Sequence, residues 1–122
     1  MIRGTLIAES IKPGRGLEGI PLTLTKITRD VATNASVDQP SIWTRIDFET
    51  MERPERLADA LAAVLDDKPS VWYCNFTDGD EVFIVYPNRV FRYRRGDVSD
   101  RREAQGYGQS LGVPPSQLDW TE

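Results

Sequence analysis

Between Ser41 and Glu49 the chain alternates without a break. Ile42, Thr44, Ile46 and Phe48 fall on one side and Trp43, Arg45, Asp47 and Glu49 on the other, the period of a β-strand. A looser alternation over residues 2–9 (IRGTLIAE) predicts a first strand, which Pro13, Gly14, Gly16 and Gly19 interrupt. A second strand follows from about Ile20, with Leu22 and Leu24 opposite Thr23 and Thr25, and its period breaks at Lys26 and Ile27. Residues 31–40 (VATNASVDQP) form a small-residue loop. At Pro54 the period lengthens: Leu57, Leu61, Val64 and Leu65 recur at helical spacing among alanines, with Pro54 suited to a first helical turn and Asp66 and Asp67 near the stop.

Three short strands then form a meander, Val71–Phe76, Glu81–Tyr86 and Arg89–Tyr93 or Arg94, joined by Asp78-Gly79 and Pro87-Asn88 turns. Two-residue loops predict Phe76 opposite Glu81, Cys74 opposite Phe83, Ile84 opposite Phe91, and Glu81 opposite Arg94 as a cross-strand charge pair. This register puts Trp72, Cys74, Phe83, Val85 and Val90 on one face and Val71, Tyr73, Val82, Ile84, Tyr86, Phe91 and Tyr93 on the other. Both faces are apolar, so each needs a cover. The helices cover one; the N-terminal strands, a ligand or a second copy of the chain must cover the other. Tyr73, Tyr86, Phe91 and Tyr93 are therefore the candidate interface residues of a homo-oligomer. A second helix is expected over Asp100–Leu111, with Asp100 and Glu103 in capping-box spacing and Gly112 and Pro114 ending it. Gln117 to Trp120 closes the chain as a short turn, with Trp120 folding back as an anchor.

The expected fold is one α+β domain over residues 1–122, a mostly antiparallel sheet of about six strands with two helices in the order β-β-β-α-β-β-β-α. The third strand, first helix and fourth strand could form a right-handed parallel crossover, and a ferredoxin-like core with additions is one arrangement that satisfies this order.

Composition mainly excludes. With no His, the Ser-His-Asp and Cys-His nucleophile arrangements and His-ligated zinc are removed. One Cys allows neither an internal disulfide nor a Cys-rich metal or iron–sulfur site, so no cofactor and no metal are expected. No stretch reaches the ~18 consecutive apolar residues of a membrane span, and the N-terminus lacks the apolar run of a signal peptide, so the expectation is a cytoplasmic protein without membrane contact.

Several motifs are weaker than they look. Gly14-Arg15-Gly16-Leu17-Glu18-Gly19 spells G-x-G-x-x-G, but a β pattern follows it where a phosphate-binding helix would have to start. Residues 107–118 (YGQSLGVPPSQL) look like the middle of a helix-turn-helix, yet no Lys or Arg follows to make a recognition helix, which argues against nucleic acid as a partner. Asn34-Ala35-Ser36, Asn75-Phe76-Thr77 and Arg95-Gly96-Asp97 match glycosylation and adhesion tripeptides without an export signal to give them use. Cys74, among aromatic residues, is read as core.

Charge carries more. Arg89, Arg92, Arg94, Arg95, Arg101 and Arg102 fall within residues 89–102 against Asp97 and Asp100, leaving 9 basic and 17 acidic residues elsewhere. Arg89, Arg92, Arg94 and Arg95, with Phe91 and Tyr93 interleaved, are candidate anion-binding residues for a small anionic molecule. Pairing with the acidic surplus competes with that reading. Asp47 and Glu49 share a strand face and are the carboxylate pair best placed for acid–base work, although Arg45 beside them suggests a solvated charged row. The leading functional expectation is a non-enzymatic protein-interaction module forming a homo-oligomer through an apolar sheet face. An anionic-ligand or nucleic-acid binder through residues 89–102 and a carboxylate-dependent enzyme are the alternatives.

Overall fold

Strand β1 (Ile2–Ile7) organises the molecule in the computed structural model, which describes all 122 residues. It pairs antiparallel with β3 (Ile42–Thr50) on one side and with β4 (Cys74–Asp78) on the other. Beyond β3 lies β2 (Thr23–Val31); beyond β4 lie β5 (Glu81–Tyr86) and β6 (Arg89–Arg94), giving the sheet order β2-β3-β1-β4-β5-β6. Every neighbouring pair is antiparallel. Helix α1 (Pro54–Val64) connects β3 to β4, and α2 (Val98–Ser110) follows β6. The expected α+β domain, with six strands and two helices in β-β-β-α-β-β-β-α order, is the observed one.

Because β3 and β4 both run antiparallel to β1, they are parallel to each other with β1 inserted between them, a split β-α-β unit in place of an adjacent crossover. This is the part of a ferredoxin-like arrangement that the sheet keeps. β5 and β6 extend it as a meander, and the helices take opposite faces.

That division covers both apolar faces within the chain. On one face Leu57, Ala58 and Leu61 of α1 pack with Ile2, Leu6, Phe48, Cys74, Phe76, Phe83 and Val85. On the other Ala104 of α2 packs with Val82, Ile84, Tyr86 and Tyr93, flanked by Tyr73, Phe91, Tyr107 and Trp120. The second face thus needs neither a ligand nor another copy over β5 and β6: α2 and the C-terminal tail cover it. Trp120 does fold back, donating its indole N–H to the Tyr93 hydroxyl at 2.9 Å and lying 5.3 Å from the Tyr73 ring.

Several local expectations shift, beginning with strand bounds: β2 starts at Thr23, not about Ile20, and β4 covers Cys74–Asp78, not Val71–Phe76. In the β4–β5 hairpin Phe76 opposes Phe83 and Cys74 opposes Val85, two residues from the expected register, because the loop is Gly79-Asp80. Gly79 has φ +58°, and Asp80 is not among the residues of positive φ, so the left-handed position is the first loop residue as in a II′ turn. A shift of two preserves which face each side chain occupies. The second turn gives the expected pairs, including Glu81 opposite Arg94 and Ile84 opposite Phe91. Helix α2 starts earlier than expected because Asp97, not Asp100, caps it, accepting from the Asp100 backbone N–H at 3.1 Å. The irregularity in β2 lies between Leu24 and Lys26, at Thr25.

Candidate functional site

The tail and α2 cover the β5–β6 part of their face and leave the β2-β3-β1-β4 part open. Register fixes what that open floor displays. Glu49, Arg3 and Thr77 form one cross-strand row; Lys26, Asp47, Thr5 and Asn75 form the next; Thr28, Arg45 and Ile7 form a third. A trough of about 350 Å³ runs over the first two of these rows to Glu122 of the tail.

Its charges are matched locally. The Thr5 hydroxyl donates to Asp47 at 2.7 Å and Arg45 lies 3.2 Å from the same carboxylate oxygen, while Arg3 pairs with Glu49 at 3.3 Å. The Thr5 hydrogen bond holds the Asp47 carboxyl below its usual range against the opposing effect of burial, with Arg45 and Lys26 adding to the lowering. Asp47 and Glu49, the pair considered for acid–base work, do share this face, but each has its own arginine. An ionised, arginine-paired aspartate is a weak base and no acid near neutral pH.

A second cavity of about 180 Å³ adjoins the trough and shares Thr5 and Asn75 with it. Trp43, Trp72 and Tyr73 supply its aromatic lining, and Asn34, Asn75 and Asp119 its polar lining. The two indoles meet edge to face with centroids 5.2 Å apart. Gln117 pins the tail here: its amide donates to the Asn34 carbonyl at 2.8 Å and to Gln39 Oε1 at 2.7 Å, and the Tyr73 hydroxyl donates to its backbone carbonyl. Burial, reinforced by Asp119, pushes the Tyr73 hydroxyl well above its ordinary pKa, so it stays a donor. No sequence pattern marks this cavity, since it joins residues from β1, the β2–β3 loop, β3, the approach to β4 and the tail. The density of Trp72, Tyr73, Cys74 and Asn75 was the available signal.

The four candidate anion-binding arginines are not brought together. Arg92 and Arg94 share the α1 face of β6, and Arg89 lies on the α2 face. Arg92 is bidentate to Glu81, bonds Glu55 of α1 at 2.9 Å, and lies over the Phe83 ring at 4.9 Å. Arg95 pairs with Glu122 at 3.0 Å, and Arg89 stacks 4.6 Å above Phe91. The candidate interface aromatics are likewise internal: Tyr86 and Tyr93 are buried, Tyr73 and Phe91 half-buried, all beneath α2 and the tail. The buried Tyr86 hydroxyl donates to the Ala104 carbonyl at 2.8 Å.

The apolar surface that remains exposed lies elsewhere. On the α1 face of the β2–β3 hairpin, Leu24 (51%), Ile27 (60%), Val31 (75%) and Ile42 (43%) are open to solvent. The first three run along β2, whose outer edge has no strand beside it, and Ile42 of β3 lies opposite Val31. The chain is therefore a small α+β domain carrying an exposed hydrophobic patch. No helix is long and apolar enough to cross a membrane. No family model matches the sequence, and neither a curated protein nor a solved structure shows detectable similarity to it.

Proposed function

We propose that the chain is a non-enzymatic interaction module whose partner is a second copy of itself, joined edge to edge through β2. The observation that carries this reading is the self-complementarity of that strand. Lys26, Thr28 and Asp30 point to the same face, and none of Lys26, Arg29 and Asp30 has an ion-pair partner within the chain. An antiparallel two-fold centred on Thr28 sets Lys26 against Asp30 of the second copy twice, with the two threonines between them. On the other face Ile27 meets the stem of Arg29. The edge N–H and C=O groups gain partners, and part of the Leu24, Ile27 and Val31 stripe leaves water.

Charge reversal tests the register. Each exposed cross-strand pair contributes ~0.2–1 kcal/mol, so losing two by symmetry weakens association about tenfold. Sedimentation velocity should show a dimer for the native chain, a weaker one for Lys26→Asp, and recovery when Asp30→Lys is added. Ile27→Lys should leave a monomer with an unchanged fold. A native chain that stays monomeric at high micromolar concentration, or a swap that fails to restore association, refutes the reading.

A further inference from the structure

We infer that the cavity between Trp43, Trp72, Tyr73 and the C-terminal tail is a binding site for a small organic ammonium cation. The ten residues lining it include three aromatic rings, one carboxylate and no Lys or Arg. The Asp119 carboxylate is exposed and has neither a hydrogen-bond nor an ion-pair partner, unlike Asp47 and Glu49 in the adjoining trough. Anionic ligands find no counter-charge there. A cation finds Trp43, Trp72 and Tyr73 together with a free carboxylate, the combination of residue types that recognises alkylated ammonium groups. The net charge of −4 adds to the attraction.

Size narrows the class. At about 180 Å³ the cavity is smaller than the ~300–1,000 Å³ of sites for drug-sized ligands, so it suits a compact head group. The Asn34 and Asn75 side chains have no hydrogen bond within the chain and line the same cavity, ready to accept from an N–H or a hydroxyl on the ligand. Gln117, only 7% exposed, uses its amide N–H groups on Asn34 and Gln39 and leaves its side-chain oxygen without a donor beside the cavity.

Calorimetric titration of the full chain with choline chloride, and with its uncharged isostere 3,3-dimethylbutan-1-ol, tests the site at matched ionic strength. Choline should bind saturably and the isostere at least about tenfold more weakly, since the difference between them is the charge. Asp119→Asn, an exposed position, should weaken choline about tenfold while leaving thermal unfolding unchanged, and Trp43→Phe should weaken it less than Trp43→Ala. Equal binding of the two probes, absence of saturable choline binding in the millimolar range, or indifference to Asp119→Asn overturns the assignment.

Discussion

Gly4 shows how much one residue can be constrained by its neighbours. It sits between Phe48 of β3 and Phe76 of β4 in the cross-strand row of the α1 face, and Phe76 stacks on Phe83 with centroids 4.7 Å apart. A Cβ at Gly4 would lie 2.7 Å from Phe76 Cβ and 2.8 Å from the end of the Phe48 ring. The ring can tilt, but Phe76 Cβ is fixed to its strand. Gly4→Ala is therefore expected to destabilise the fold by ~1–3 kcal/mol through overpacking, despite alanine's smaller entropy cost in a strand. Urea unfolding measures it. Adding Phe48→Leu should recover part of the loss if the clash is the cause; no recovery would place the cost in the backbone instead. Cys74, on the same face, donates its thiol to the Thr5 carbonyl at 3.3 Å and is pushed up to about 12 by burial, as a core thiol should be.

Among the elements, the turn that follows β1 is held to β3 by a single side chain. Glu9 accepts from the Thr44 backbone N–H at 2.6 Å and from its hydroxyl at 2.8 Å. Burial alone would raise its carboxyl, but these bonds, with Arg29 nearby, lower it below its ordinary value of 4.5. A depressed folded-state pKa means stability that is present above about 4.5 and lost as pH falls through the lower folded value. Glu9→Gln should thus cost about 1 kcal/mol at pH 7, discounted for partial exposure, with the gap to the native chain closing in acid. Denaturant curves at neutral and strongly acidic pH decide it: an equal gap at both would assign the cost to shape, not charge. No pattern in the sequence points to this contact. Alternation reveals which side chains share a strand face, which is why Asp47 and Glu49 were legible together and β3 nearly to the residue. It does not reveal which strands are neighbours, so the Arg3–Glu49 and Arg92–Glu55 pairs were hidden. The β4–β5 register was ambiguous because shifts of two keep every face assignment. Helix α2, with Gly106 and Gly108 in its sequence, advertises little apolar surface; its role as a cover depends on Trp120 and the tail, which only tertiary contact brings into place.

At the scale of the whole molecule, strand order sets a gradient of stability that association would modify. β1 has a strand on both sides and buries Ile2 and Leu6 of one face in the α1 core, whereas β2 has one neighbour and an exposed apolar face. Opening free energies should accordingly rise from β2 toward β1, β4 and β5, with β2 among the first segments to exchange its amides. The outward-facing amides of β2 have no partner in a single chain, so in a dilute monomer they exchange as exposed groups. If two copies join about Thr28, the same amides become ladder donors and the inward ones lose their route to opening from the edge. Hydrogen exchange followed by mass spectrometry across a range of protein concentrations separates these cases. Protection in the peptide spanning β2 should climb with concentration while that of β1 and β5 stays constant, and Lys26→Asp should move the climb to higher concentration. Protection in β2 independent of concentration would leave its edge as a passive, solvated boundary of the sheet. Choline added in the same experiment should instead slow exchange around Trp72 and Tyr73 and in the tail, at any protein concentration, since these segments line the cavity.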